Sequence, residues 1–157
     1  MQFPTDPKLN RVLMKKKPAI GDLMDLCGEN YALLLKMAPS LPKMKGHYQS
    51  HSVSGTRLHL QILEQSRYTS LIRLTYLFGD NEQQADPDST LRVYHDSSQL
   101  ELIDLRRRKL YLTNTYQHPN LIIKWKANLF IHKWLIYCLK SSPAFEFKHT
   151  DQIASVA

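Results

Sequence analysis

The chain has 157 residues, 43% of them apolar and 22% charged, a composition that suits one globular domain and argues against wholesale disorder. Its net charge of +7 favours anionic partners without naming one. No apolar run approaches the ~20 residues that span a bilayer, and Lys15-Lys16-Lys17 leads into Pro18 rather than the apolar core of a signal peptide, so the expected location is the cytoplasm.

Residues 1–20 carry Pro4, Pro7 and Pro18 without a sustained period and read as an arm, mobile or laid over the surface. From Asp22 the pattern turns helical. Leu23, Leu26, Cys27, Tyr31, Leu34 and Leu35 share one stripe, Met24 widens it, and Pro39 and Pro42 end it. Asp22 is placed to cap the amide of Asp25. Asn30 lies inside the stripe, where it either reaches water from the helix edge or holds a neighbouring loop.

A run of strands follows. Tyr48 to Val53 reads as a polar edge strand, with a hairpin turn at Ser54-Gly55. Arg57 to Glu64 and Tyr68 to Phe78 alternate clearly, and Gln65-Ser66-Arg67 links them. An acidic loop over 79–89 precedes a fourth strand, Leu91 to His95, and a turn at Asp96-Ser97-Ser98. Leu100 to Leu105 and Leu110 to Tyr116 complete six strands about a turn at Arg106 to Lys109. Pro119-Asn120 closes the sheet, and a helix apolar nearly all round runs from Ala127 to Lys140. The expected fold is α+β: an N-terminal helix, a six-stranded antiparallel meander and a C-terminal helix, with the helices covering one sheet face. The domain then spans 21–141, and 142–157 form a tail.

Four segments in order carry a resemblance. Leu23-Met24-Asp25-Leu26-Cys27-Gly28-Glu29-Asn30-Tyr31, Glu64-Gln65-Ser66-Arg67-Tyr68-Thr69, Leu91-Arg92-Val93-Tyr94-His95-Asp96 and Trp134-Leu135-Ile136-Tyr137-Cys138-Leu139 resemble the YqiB-like proteins of bacteria over about residues 20–140. The resemblance implies a single cytoplasmic domain of unknown function and supplies no chemistry. One departure follows Asn120. Where that family carries an acidic Asp-Glu-Lys turn, this chain reads Leu121-Ile122-Ile123-Lys124-Trp125-Lys126-Ala127.

Strand parity locates a candidate site. Alternate links of a meander fall on one rim, which gathers Arg67, Tyr68, Arg92, Tyr94, His95, Asp96 and Asn120 and sends Arg106 to Lys109 to the opposite rim. The two arginines could hold a phosphate or carboxylate between tyrosine walls. The same residues also serve a bland reading, with Tyr68 and Tyr94 as rim packing, Asp96 as a turn former and Arg67 as its ion-pair partner.

Catalytic signatures are absent: there is no G-x-S-x-G, no H-E-x-x-H and no phosphate-cradling glycine cluster. Cys27 and Cys138 lack paired spacing and read as buried reduced thiols, so neither a metal nor a cofactor is expected. The leading reading is a non-catalytic binding or accessory protein that uses the sheet rim or the last helix to hold a protein or an anionic small molecule. One alternative is weak nucleic-acid binding through Lys15, Lys16, Lys17, Arg106, Arg107, Arg108 and Lys109. Another is a small enzyme at the rim around Arg67, His95 and Asp96. Oligomeric state is open.

Overall fold

The helical stripe beginning near Asp22 folds as α1, Ile20–Met37, in a computed structural model that describes residues 18–50, 57–78, 84–106, 120–141 and 148–149. Asp22 does not cap forward to Asp25. It occupies the third helical position, and its Oδ2 accepts the Ala19 N–H at 2.9 Å, because the helix starts two residues earlier than the apolar period suggests. A short 3-10 helix, Leu41–Lys43, turns the chain into the sheet.

Five strands follow in antiparallel succession: β1 His47–Gln49, β2 Arg57–Gln65, β3 Thr69–Phe78, β4 Gln84–Tyr94 and β5 Gln99–Leu105. After α2, Asn120–Ser141, two residues (β6, Lys148–His149) pair with the free side of β1. The fold is therefore α+β with an antiparallel sheet. The expected strand over 110–116, the Ser54-Gly55 hairpin, most of the N-terminal arm and nearly all of the C-terminal tail lie outside the described residues.

Two boundaries differ from expectation. The acidic segment before Leu91 is largely strand, because Asp88 is buried without being unpaired: Arg73 Nε and Nη2 and Thr75 Oγ1 all bond its carboxylate, at 2.8, 2.7 and 3.0 Å. Pro87 fits there because Asp86 and Pro87 together face the single residue Tyr76 in a bulge, where an amide is dispensable. The last helix begins at Asn120, not Ala127. Lys124 interrupts the apolar pattern but is buried against Glu101 at 3.3 Å, so the helical face continues through it.

Leu58, Leu60, Ile72, Leu74, Leu91, Val93, Leu100 and Leu102 form the apolar parity of the sheet. They join Leu34 and Met37 of α1 and Ile131, Trp134, Leu135 and Cys138 of α2 in one buried cluster. A second cluster packs Leu23, Leu26 and Cys27 of α1 against Leu121, Trp125 and Leu129 of α2. Asn30 holds a helix rather than a loop. Its Nδ2 donates to the Asn128 carbonyl at 3.0 Å and its Oδ1 lies 2.8 Å from His132 Nδ1. Asn128 Oδ1 in turn accepts the Leu102 N–H at 3.0 Å, which ties α2 to β5, the outermost of the described strands on that side. Among the described residues no helix is long and apolar enough to cross a membrane.

Candidate functional site

Two turns meet at one end of the sheet. The β2–β3 turn places Arg67 and Tyr68 at its tip, closed by the Ser66 N–H donating to the Thr69 carbonyl at 2.9 Å. The β4–β5 turn carries His95 to Ser98, and the His95 N–H donates to the Tyr68 carbonyl at 2.7 Å. Arg67, Tyr68, Tyr94, His95 and Asp96 thus gather on one rim, while Arg106, after β5, lies at the other end, where its N–H donates to the Asp88 carbonyl. Arg67 lies 5.1 Å over the Tyr68 ring rather than pairing with Asp96 among the described residues. Arg92 is exposed on the opposite parity to the core, facing Leu71 and Glu101 across the strands. Asn120 opens α2, whose next residue Leu121 packs against α1.

A directed hydrogen-bond chain runs behind this rim. Gln65 Nε2 donates to the carbonyls of Leu41 and Met44 at 2.8 and 2.9 Å, so its Oε1 faces Ser70 and the Ser70 hydroxyl donates to it. Ser70 Oγ then accepts from His95 Nε2–H at 2.8 Å. A neutral imidazole protonated on Nε2 has its lone pair on Nδ1, and that atom accepts the Tyr31 hydroxyl of α1 at 3.3 Å. Burial pushes the His95 pKa below its ordinary value, and the adjacent Asp96 carboxylate offsets part of this.

That direction decides the chemistry. A serine nucleophile needs an imidazole that accepts its proton. Here His95 donates to Ser70, and Ser70 is fully buried. Ser66, the other serine near His95 and Asp96 at this end of the sheet, is not set up as a nucleophile either, since its Oγ donates to the Thr69 carbonyl at 3.2 Å. A metal site built on His95 would have to displace Ser70 or Tyr31.

Beside the rim, α1 and the β4–β5 turn enclose a cleft of about 250 Å³. Ile20, Leu23, Met24 and Cys27 form the helical wall; Tyr94, Ser97 and Gln99 face them, with Glu101 and Asn128 between. Glu101 is engaged by Lys124, and the Asn128 amide by the Leu102 N–H and the Lys124 carbonyl. The side chains of Tyr94, Ser97 and Gln99 have no hydrogen-bond partner among the described residues. Burial, then the Glu101 carboxylate, pushes the Cys27 thiol up to about 12, so it stays protonated and serves as apolar wall. Cys138 is likewise a buried free thiol, raised by burial to about 12.

Sequence reasoning missed Tyr31 and Ser70 as partners of His95 and Gln65 as the partner of Ser70, and missed the helical wall altogether. Ser70 stands on the apolar parity of β3, a polar residue where Ile72 and Leu74 set the pattern, and that was the available signal. Gln65 was hidden by a bulge. The register steps from Ile62↔Ile72 to Glu64↔Leu71, leaving Leu63 over and bringing Gln65 opposite Ser70.

The basic clusters fare differently. Lys15 to Lys17 and Arg107 to Lys109 lie outside the described residues, and Arg106 sits 3.9 Å from Asp88. Burial alone would raise Asp88, but its hydrogen bonds from Arg73 and Thr75 hold it below the ordinary carboxylate range. A single-strand-binding surface interleaves aromatic and basic residues on one sheet face, but Arg73 and Tyr76 fall on opposite parities of β3, with Tyr76 packed on the core.

The chain is similar to the uncharacterized protein YqiB of Escherichia coli strain K12, with 28% identity over 127 residues, covering 78% of this chain and 89% of the relative. The YqiB proteins of the O6:H1 and O157:H7 strains match to the same extent. No solved structure matches. The model of the family described as protein of unknown function (DUF1249) matches residues 33–143, beginning just beyond the helical wall of the cleft. With that match spanning most of its length, the chain belongs to the DUF1249 family of proteins of unknown function, to which no chemistry is assigned.

Proposed function

We propose that this chain is a non-catalytic, cytoplasmic binding protein that receives an apolar anchor of a protein partner in the cleft between α1 and the β4–β5 turn, with both helices over one sheet face. The observation that carries the reading is the cleft itself. At about 250 Å³ it falls below the ~300–1,000 Å³ of small-molecule sites and suits one large side chain. Ile20 and Met24 are 49% and 56% exposed, so apolar surface continues outward from it, as it does around the buried anchor of a protein interface. Tyr94, Ser97 and Gln99 offer hydrogen bonds to the backbone that carries the anchor.

The alternatives have less support. The His95–Ser70 polarity opposes a nucleophilic serine, and the Asp88 carboxylate engages Arg73 and Arg106. Selection from a displayed peptide library tests the proposal. Recovered peptides should share one aromatic or leucine anchor, compete with the neutral fluorophore N-phenyl-1-naphthylamine, and lose binding to a Met24→Asp variant. Peptides with no common apolar residue, or equal binding to Met24→Asp, would sink it.

A further inference from the structure

We propose that the contact between Tyr31 and His95 is an acid-sensitive latch that fixes the width of the cleft, so that binding there weakens when His95 takes a proton. This rests on the cleft reading above and names its regulation.

The latch joins the two walls. Tyr94 lines the cleft and His95 follows it in the chain. Tyr31 lies one helical turn beyond Cys27 on the same side of α1. The rings meet edge to face, with centroids 5.9 Å apart and planes at 67°, and the hydroxyl reaches Nδ1 at 3.3 Å. His95 is otherwise fixed to the sheet, through Nε2 to Ser70 and through its N–H to the Tyr68 carbonyl. Of the bonds that hold His95, the one to Tyr31 crosses to the helical wall.

Of the bonds to the ring, protonation reverses the direction of that one. The added proton goes to Nδ1, since Nε2 already carries one. Nδ1–H then faces the Tyr31 O–H donor to donor, and the phenol must turn its proton away or separate. The Ser70 and Gln65 end of the chain keeps its direction and stays intact. The groups facing His95 are Tyr31 from α1, Ser70 from β3, the Tyr68 carbonyl from the β2–β3 turn and Asp96 from its own turn. Asp96 favours the charged ring, and burial opposes it with the larger effect.

The test measures N-phenyl-1-naphthylamine affinity between about pH 7.5 and pH 5, alongside an NMR titration of the His95 ring. One linked proton limits the change to tenfold per pH unit; the expected fall is roughly three- to tenfold, following the His95 midpoint. His95→Gln, which can still donate to Ser70, should bind with constant affinity across this range. Tyr31→Phe, which removes the hydroxyl bonded to the neutral ring and keeps the aromatic packing, should raise the His95 midpoint and abolish the pH dependence of binding. Constant wild-type affinity, or an equal fall in His95→Gln, would overturn the latch. Failure of the cleft reading has a different mark: probe binding at pH 7.5 that Met24→Asp leaves unchanged. In that event the backbone amides of Cys27, Gly28 and Gln99 decide the latch, supporting it if they shift with the His95 midpoint and overturning it if they do not.

Discussion

The two halves of α1 are the same helix put to different uses. From Asn30 to Met37 it is driven into the sheet core: Leu34 is 0% exposed and Met37 2%. From Ile20 to Cys27 its buried residues belong to the smaller cluster with α2, it lines the cleft, and Met24 is 56% exposed. Apolar side chains that the core-facing half buries are partly left in solvent by the other half. Burial stabilises by about 25 cal/mol per Å², so residues left exposed contribute little to folding and are free to serve binding. Substitutions in the two halves should therefore separate stability from affinity.

The largest effect is expected in the core half. Leu34→Ala removes a fully buried side chain packed between sheet and helices and should cost about 2–5 kcal/mol. Met24→Ala should change unfolding free energy by less than ~0.5 kcal/mol while weakening probe binding. Denaturant unfolding of both variants checks this. A Met24→Ala loss as large as that of Leu34→Ala would erase the distinction between the halves.

Next comes the junction between them. Asn30→Ala removes the acceptor that faces the buried His132 Nδ1 and a donor to α2, for an expected loss of about 1–3 kcal/mol. Asn30 is fully buried, so no water replaces its amide without rearrangement. Amide exchange across α1 sharpens the comparison. Protection should fall throughout the helix if Asn30 fastens both halves to α2, and near residue 30 alone if each half is held by its own cluster.

Much of this was legible in the sequence, for reasons particular residues make clear. Helix α1, β2, β3 and β5 were visible because their buried faces are built from Leu, Ile and Cys at periods of 3.6 or 2. The rim was legible from strand parity alone, which put Arg67 beside Asp96's turn and Arg106 at the far end. Burial of charged residues was not legible. Asp88 and Lys124 look like loop residues until Arg73 and Glu101, distant in sequence, neutralise them. Bulges also defeat counting. Leu63 and Ile103 each shift a strand by one residue, which changes the face of everything after them. The cleft depends on how closely a helix approaches a turn, and periodicity carries no information about that distance.

A smaller effect should appear with pH, and it belongs to the cleft half. Burial holds the folded pKa of His95 below the ordinary value, so the unfolded chain binds the proton more readily. The sign follows. This contribution to stability is complete above ~6.5 and is lost as pH falls through the lower folded pKa. His95→Gln should flatten that part of the stability–pH curve. Leu34→Ala should lower the whole curve and keep its slope, since no proton is involved. Urea unfolding at several pH values distinguishes the two.

The smallest effect expected lies in the turn that forms the other wall of the cleft. Ser98 has a φ of 54°, in the left-handed region, immediately before β5. A side chain there costs roughly 1–2 kcal/mol, and glycine avoids that cost at an entropic penalty of about 0.5–1 kcal/mol. Ser98 is exposed and its hydroxyl has no hydrogen-bond partner among the described residues, so little is lost with the side chain. Ser98→Gly should therefore stabilise the fold by less than ~1 kcal/mol, a rise in Tm of no more than roughly 2–4 °C. A Cβ on Gly28 of α1 would meet Gln99 Nε2 at 3.3 Å and the Ser98 carbonyl at 3.8 Å, so the close approach of turn and helix runs through these atoms and not through the Ser98 side chain. Probe affinity should then be unchanged in Ser98→Gly. A gain in stability accompanied by lost binding would mean that the serine side chain shapes the cleft, and that stability and binding are less separable at this wall than along α1.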